Sequence, residues 1–379
     1  MMDAPLADGG ARPTWVEVDL DAVAHNFRVA RAAAGGSAVF PVVKANAYGL
    51  GATPVARALA AAGADGFCVA MVEEARPLRE AGIVHPLVIL SGFLPGVEQA
   101  VIELNLQPVL FEMEAARALS RLRGGGGAPI PVHVKVDTGM GRMGFPRAKI
   151  SAVLEELRGL PGIRVASILS HLACGDALTG EESLRQAERL EWAGDAALPR
   201  SLANSAGLLG HPRTRLAWSR PGIMLYGASP FFPARTWRED GLRPVARWLT
   251  RVVAVREVEA GTPLGYGHDF VTRRASRIGV LPVGYADGYS RCMQGLARVL
   301  IGGARAPVVG RISMDLTLVD LTDHAGAGIG APVTLLGEQA GGFIGIEEMA
   351  EWMGTIPYEV LCRLGARLPR RHLRAGVNE

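Results

Sequence analysis

The lysines are the residues whose placement asks for an explanation. Of the 40 basic side chains only Lys44, Lys135 and Lys149 are lysine, so arginine is the default cation of this chain. Lys44 closes an apolar run in "PVVKANAYGLG" and is followed by small residues, Tyr48 and glycines. A lysine at the mouth of a strand, its ammonium form disfavoured by burial, forms a Schiff base with an aldehyde. Arginine keeps its proton and does not. Two other apolar runs end in polar residues of possible use, Arg220 in "WSRPGIMLYG" and His171 in "VASILSH". Taken singly, an arginine there is more often a carboxylate partner, and a histidine more often a satisfied structural residue.

The elements that must position these residues follow from the pattern around them. "AVFPVVK", "GFCVA", "PLVILSG", "QPVLF", "PVHVKVD", "VASILSH", "RSLANS" and "LAWSRPG" are short and nearly continuous in apolar residues, as strands buried on both faces are. Between them, stretches such as "TPVARALAAAG", "EMEAARALSRLRGGGG" and "EESLRQAERLEWAGDAA" have helical spacing with glycine near their ends. This alternation predicts a (β/α)8 TIM-type barrel over 12–243, with Lys44 at the rim where such barrels carry their active sites. The first βα turn lacks G-x-G-x-x-G, which argues against a doubly wound sheet. After "GLRPVARW" the chain becomes β-branched and glycine-punctuated, predicting a smaller mainly-β C-terminal domain over 244–379. Within it "IGIEEMAEWMG" is expected to be a single helix, and residues 1–11 a flexible N-terminus.

Composition excludes several functions. The net charge of +3 is small for 379 residues, and the arginines are interspersed with acids, so no footprint for nucleic acid exists. No segment approaches the ~20 apolar residues of a membrane span or the core of a signal peptide, which predicts a cytoplasmic protein without membrane contact. Cys68, Cys174, Cys292 and Cys362 are widely separated with no C-x-x-C pair, so neither disulfides nor a metal site are expected; they read as small buried hydrophobes.

"VVKANAYGLG" resembles the cofactor-lysine motif of the alanine racemases. "KVDTGMGRMG", "SHLA", "ANSAG", "RPGIMLYG", "PLGYG", "VGYADGY", "VGRISMD" and "TIPYEV" follow in that family's order across both domains. The resemblance implies an isomerase that interconverts L- and D-alanine with pyridoxal 5'-phosphate, feeding D-alanine to peptidoglycan. It makes Lys44 the residue bearing the cofactor and one catalytic base, and Tyr266 of the partner subunit the other, in a homodimer with shared active sites. By the same resemblance Arg220 faces the pyridine nitrogen, and His171 links it to Tyr266. Tyr48, Ser205, Gly222, Ile223 and Tyr358 hold the phosphate. Arg142 and the backbone of Met314 steady the substrate carboxylate, Lys135 is a position some relatives carbamylate, and Tyr285 with Tyr358 narrows the entrance to suit a methyl group.

Two positions depart from the family pattern. Ser313 stands where many relatives have cysteine, and Pro357 precedes the gate tyrosine, where a proline constrains the neighbouring backbone. Three other activities compete: a broad-specificity amino-acid racemase, a decarboxylase of the same two-domain class, and a non-enzymatic pyridoxal-phosphate carrier.

Overall fold

The computed structural model describes residues 12–124, 126–193, 195–374 and 377–378, the last pair by backbone alone. The expected flexible segment 1–11 lies outside the described residues. The chain divides into two units, Asp21–Arg243 and a second one that joins the chain up to Leu20 with Pro244 onward.

The first unit is a closed barrel of parallel strands. Ala38–Val39, Phe67–Val69, Leu87–Ile89, Leu106–Leu110, Ile130–Asp137, Ile163–Leu169, Arg200–Ser201 and Trp218–Ser219 pair in sequence order, and Trp218 pairs with Ala38. A bridge from Val42 to Cys68 completes the ring. The strand residues Phe67, Cys68, Val69, Leu87, Val88 and Ile89 are all fully buried, because helices cover the outside while side chains fill the inside. That is why these strands show apolar runs rather than alternation. Helices follow the strands, as Met113–Arg123 does. There the Glu112 carboxylate accepts the Glu114 and Ala115 N–H groups at the start, and Gly124 takes φ 55° at the end. Its apolar face buries Leu119 completely, worth about 1.5–3 kcal/mol. Ahead of the first barrel strand, helix Leu20–Ala34 docks on the chain that follows the eighth. Asn26 donates to the carbonyls of Leu225 and Arg243.

The second unit is built on antiparallel strands, including Ala246–Arg251, Ser276–Leu281, Ala304–Val309 and Pro332–Gln339. Trp15–Asp19, expected inside the barrel segment 12–243, belongs here instead. It pairs antiparallel with Ala246–Arg251 and parallel with Arg370–Arg374. The physical reason is its alternation: Val16 and Val18 are fully buried while Trp15 and Glu17 are half exposed, as in a sheet with one wet face. The helix expected in "IGIEEMAEWMG" is Ile346–Met353, and a second one that the sequence reading did not name, Pro357–Cys362, follows it. Gly354 stops the first at φ 65°, and Pro357 occupies the first position of the second, where its missing N–H costs no bond. Pro357 therefore starts the element that carries Tyr358. The cysteines also differ from expectation: Cys68 is buried in a barrel strand, whereas Cys174 in a loop, Cys292 in the short turn Arg291–Met293 and Cys362 at a helix end are exposed. Among the described residues no helix is long and apolar enough to cross a membrane.

Candidate active site

Lys44 opens a turn that L-residues rarely make. Ala45, Asn46, Ala47 and Tyr48 have φ of 51°, 55°, 52° and 54°, a full left-handed turn without glycine, which then gives way to Gly49 at φ 84° and Gly51 at φ 103°. Each such residue costs about 1–2 kcal/mol, so the surroundings must over-determine the conformation. They do so through hydrogen bonds. The Ala47 N–H donates to Val43, Gly49 to Ala45 and Gly51 to Asn46, while the Asn46 carbonyl side chain accepts the Ala52 N–H at 2.8 Å. Glu74 accepts the Ala45 and Ala70 N–H groups, both at 2.7 Å. The turn leaves Lys44 half-buried at the carboxyl end of the first barrel strand.

A cavity of about 340 Å³ at that end of the barrel is lined by Lys44, Lys135, Arg142, His171 and Arg220, with Leu90, Ser91, Met143, Leu169 and Ser170. The cations crowd one another. Burial, reinforced by Arg142, Arg220 and Lys44, pulls the Lys135 amine down to about 8. Burial and the same cations push His171 down to about 3, so its imidazole is neutral at pH 7. Arg220 is buried and its pKa lowered to about 10 by desolvation, yet it remains charged. Its hydrogen-bond partners are neutral oxygens: the Ser201 hydroxyl, the Ser170 carbonyl at 2.6 Å and the Leu202 carbonyl at 3.4 Å. The guanidinium also lies over the Trp218 ring, 5.3 Å from its centre.

Neighbouring loops are tied by buried polar groups. The Asp137 carboxylate accepts the N–H groups of Gly139, Met140 and Gly141, shaping the loop that presents Arg142. Burial alone would raise that carboxyl; the three N–H bonds and Lys135 outweigh it and hold it below its usual range. Fully buried Gln186 accepts the Ala173 N–H and donates to the Thr138 hydroxyl and the His171 carbonyl, joining the Arg142 and His171 loops. Across the barrel mouth the Ser205 hydroxyl accepts the Gly222 N–H at 2.9 Å and the Met224 N–H at 3.4 Å. The Gly222 backbone passes so close to the Tyr48 hydroxyl that any Cβ there would collide with it. Ile223, next in the chain, is fully buried.

The remaining candidate residues lie in the β unit, Tyr358 on the helix Pro357–Cys362 and the others on loops. Tyr266, 65% exposed, sits between Gly265 and Gly267, both at φ 71°. Arg311 holds this loop by a two-pronged ion pair with Asp269. The Tyr285 N–H donates to the Ser313 carbonyl and the Ala286 N–H to the Met314 carbonyl, each at 3.0 Å. Asp287, its side chain fully buried, takes Arg12, Arg367 and the Gly284 N–H, while its own carbonyl accepts the Gly365 N–H just beyond the helix bearing Tyr358. Tyr285 and Met314 are 42% and 53% exposed, so this unit presents a patch of large side chains to its surface.

The family models decide the assignment: that of the alanine racemase N-terminal domain matches residues 18–230, and that of the alanine racemase C-terminal domain matches 245–372. The chain belongs to the alanine racemase family. It is 42% identical to the alanine racemase of Syntrophobacter fumaroxidans over 93% of this chain and 95% of that one. The biosynthetic alanine racemase of Pseudomonas aeruginosa superposes with a TM-score of 0.87 at 39% identity, covering 96% of this chain and 100% of that one. The Bartonella henselae alanine racemase, solved with covalently bound pyridoxal phosphate, gives 0.86 at 31% identity over 95% of this chain and 99% of that one. As a member of this family the chain is an amino-acid racemase, an isomerase acting on a small molecule.

Within the racemase barrel, Lys44, Lys135, Arg142, His171 and Arg220 share one cavity, and Tyr48 meets Gly222 beside Ser205. Leu90, Ser91, Met143 and Ser170 were not singled out in the sequence, although each follows a barrel strand and rim position was the available signal. Glu74, Gln186 and Asp287 were not singled out either. Only Asp287, inside "VGYADGY", lay in a motif that carries the family resemblance.

Proposed function

We propose that this protein is an alanine racemase that interconverts L- and D-alanine with pyridoxal 5'-phosphate, Lys44 and Tyr266 handling the proton on opposite faces of the α-carbon. The observation that carries this reading is a lysine at the barrel mouth sharing a cavity with a buried arginine whose partners are all neutral oxygens. The residues present fit the cofactor. Ser205 and Tyr48 hydroxyls and the Gly222 and Ile223 amides are donors suited to phosphate, Gly222 lets the Tyr48 hydroxyl approach where a Cβ would strike it, and Tyr358 is assigned as a further donor. Bound covalently to an amine, pyridoxal phosphate draws electron density from the α-carbon of an amino acid and makes its proton labile.

The chain's own residues do the rest. Lys44 would hold the cofactor, and its Nζ would be the group that takes or returns the α-proton on one face. Arg220 offers only donors, so it would hold the ring nitrogen of such a cofactor as an unprotonated acceptor, a weaker electron sink that would restrain side reactions such as transamination. A single fixed base returns a proton to the face it left, so inversion needs a second group, the hydroxyl of Tyr266 of the partner subunit. Neutral His171 links that tyrosine to Arg220 without adding charge. Arg142 and the Met314 backbone steady the substrate carboxylate. Lys135, its amine drawn down to about 8, is available as a neutral nucleophile to carbon dioxide, losing one proton as the carbamate forms. The new anion offsets the charges of Arg142 and Arg220. Tyr285 and Tyr358 restrict the entrance to a methyl side chain. We assign the protein to the cytoplasm as a homodimer with shared sites, supplying D-alanine for peptidoglycan.

The test is to incubate the protein and pyridoxal phosphate with L-alanine in deuterated buffer, separate the enantiomers and weigh them. D-alanine carrying deuterium at the α-carbon is the expected result. Unchanged alanine, with the cofactor attached to Lys44, would overturn the reading.

A further inference from the structure

The left-handed turn after Lys44 is unusual, and one side chain links it to the rest of the barrel. Glu74, half-buried in the first turn of helix Val72–Glu80, receives the Ala45 N–H on Oε1 and the Ala70 N–H on Oε2. Ala45 is the first residue of the turn to adopt positive φ, and Ala70 directly follows the second barrel strand, Phe67–Val69. The bridge from Val42 to Cys68 that closes the barrel joins these same two strand ends. One carboxylate therefore fastens the peptide after Lys44 to the strand beside it. Two N–H donors meeting two oxygens calls for a carboxylate, since an amide in its place would turn an NH2 group against one of them.

We propose that Glu74 is the positioning residue for Lys44. Its carboxylate clamps the left-handed turn in place and so presents the amine at the barrel mouth. The proposal rests on Lys44 being the residue that bears the cofactor, and it gives Glu74 no contact with cofactor or substrate.

Two variants, Glu74→Ala and Glu74→Gln, and two readouts test it. The first readout is amide hydrogen exchange in the apoprotein over the peptide spanning Ala45 to Gly51, which involves neither cofactor nor activity. The second is the rate at which added pyridoxal phosphate becomes attached to Lys44, fixed with borohydride and located by peptide mass. Glu74→Ala is expected to speed exchange in that peptide and slow attachment by about tenfold or more, the consequence of losing charge-assisted hydrogen bonds. Glu74→Gln, isosteric and free of a cavity, falls between Ala and wild type, and other barrel peptides exchange as before. Should Glu74→Ala fail to fold, the Gln variant carries the comparison. Wild-type exchange in both variants overturns the clamp. Faster exchange with wild-type attachment also overturns the proposal, because the carboxylate would then hold the turn without positioning the amine. If label in the wild-type protein lands on a peptide lacking Lys44, the cofactor assignment fails, and the exchange readout still judges the clamp.

Discussion

His171 is neutral because burial strips water from its ring and because charging it would add another cation to Arg220, Arg142, Lys135 and Lys44; burial likewise neutralises His133 in strand Ile130–Asp137. Both have native pKa values of about 3, against about 6.5 unfolded. Between these values the unfolded chain binds protons that the native protein refuses, so stability falls as pH is lowered through that window. Each histidine adds about 1.4 kcal/mol per pH unit to the slope. Denaturant titrations of the apoprotein between pH 4.5 and 6.5, above most carboxylate titrations, are expected to show this loss, and His171→Asn to remove one histidine's share. Lys135 follows the same sign at the alkaline end. Its native pKa of about 8 lies below the usual 10.5, so the native state is penalised below 8 and gains stability as pH rises from 8 to 10.5. In buffer free of carbon dioxide, Lys135→Met should melt higher than wild type at pH 7, and the advantage should vanish above pH 10.5. Adding bicarbonate is expected to raise the Tm of wild type and leave Lys135→Met unmoved. A wild-type Tm indifferent to bicarbonate would remove the support for carbamylation.

The elements show which features of the sequence carried structural information. The barrel strands were legible because burial on both faces writes itself as uninterrupted apolar runs, and rim chemistry followed from the residues that end them. Trp15–Asp19 was assigned to the wrong unit although its alternation was visible, because partners from residue 246 to 374 lie far along the chain. The turn over Ala45–Tyr48 could not be inferred: alanine and tyrosine disfavour positive φ, and only tertiary hydrogen bonds make the conformation tolerable. Glu74 was hidden for the same reason, since an acidic residue in a first helical turn usually needs no tertiary role. Gly222, in contrast, sits in a recognisable motif, and the structure adds the reason for its lack of a side chain. A methyl group would strike the Tyr48 hydroxyl, while the next ring atom is 3.2 Å away. Gly222→Ala is therefore expected to destabilise the apoprotein by about 1–3 kcal/mol, the usual cost of overpacking. Tyr48→Phe removes the obstructing atom, so the double variant should lose less than the sum of the two single changes. Thermal or denaturant unfolding of the four proteins measures the coupling, and strict additivity would mean that the collision does not set the need for glycine.

At the scale of the whole molecule, the residues assigned to racemisation are divided between two units. Lys44, Arg142, His171 and Arg220 line a barrel cavity, whereas Tyr266, Tyr285 and Met314 stand on loops of the β unit. Those three are 65%, 42% and 53% exposed, and Ile356, two residues before Tyr358, is 52% exposed. A phenol bathed in water is a poor base near neutral pH, and large side chains clustered at a surface are ordinarily covered. The proposed dimer, in which a second copy sets its own barrel mouth against this patch, would meet both requirements at once. Such sharing has a quantitative signature. Lys44→Ala and Tyr266→Phe proteins are each expected to be nearly inactive. After dissociation and random reassociation of an equal mixture, half of the dimers are mixed, and each contains one site with both intact residues and one with neither. Recovery should therefore approach about a quarter of wild-type specific activity. It should also fall on dilution, as dimers separate. If each site were completed within one chain, no mixture of these two variants would restore turnover at any concentration, even when mass measurement showed that the subunits had exchanged.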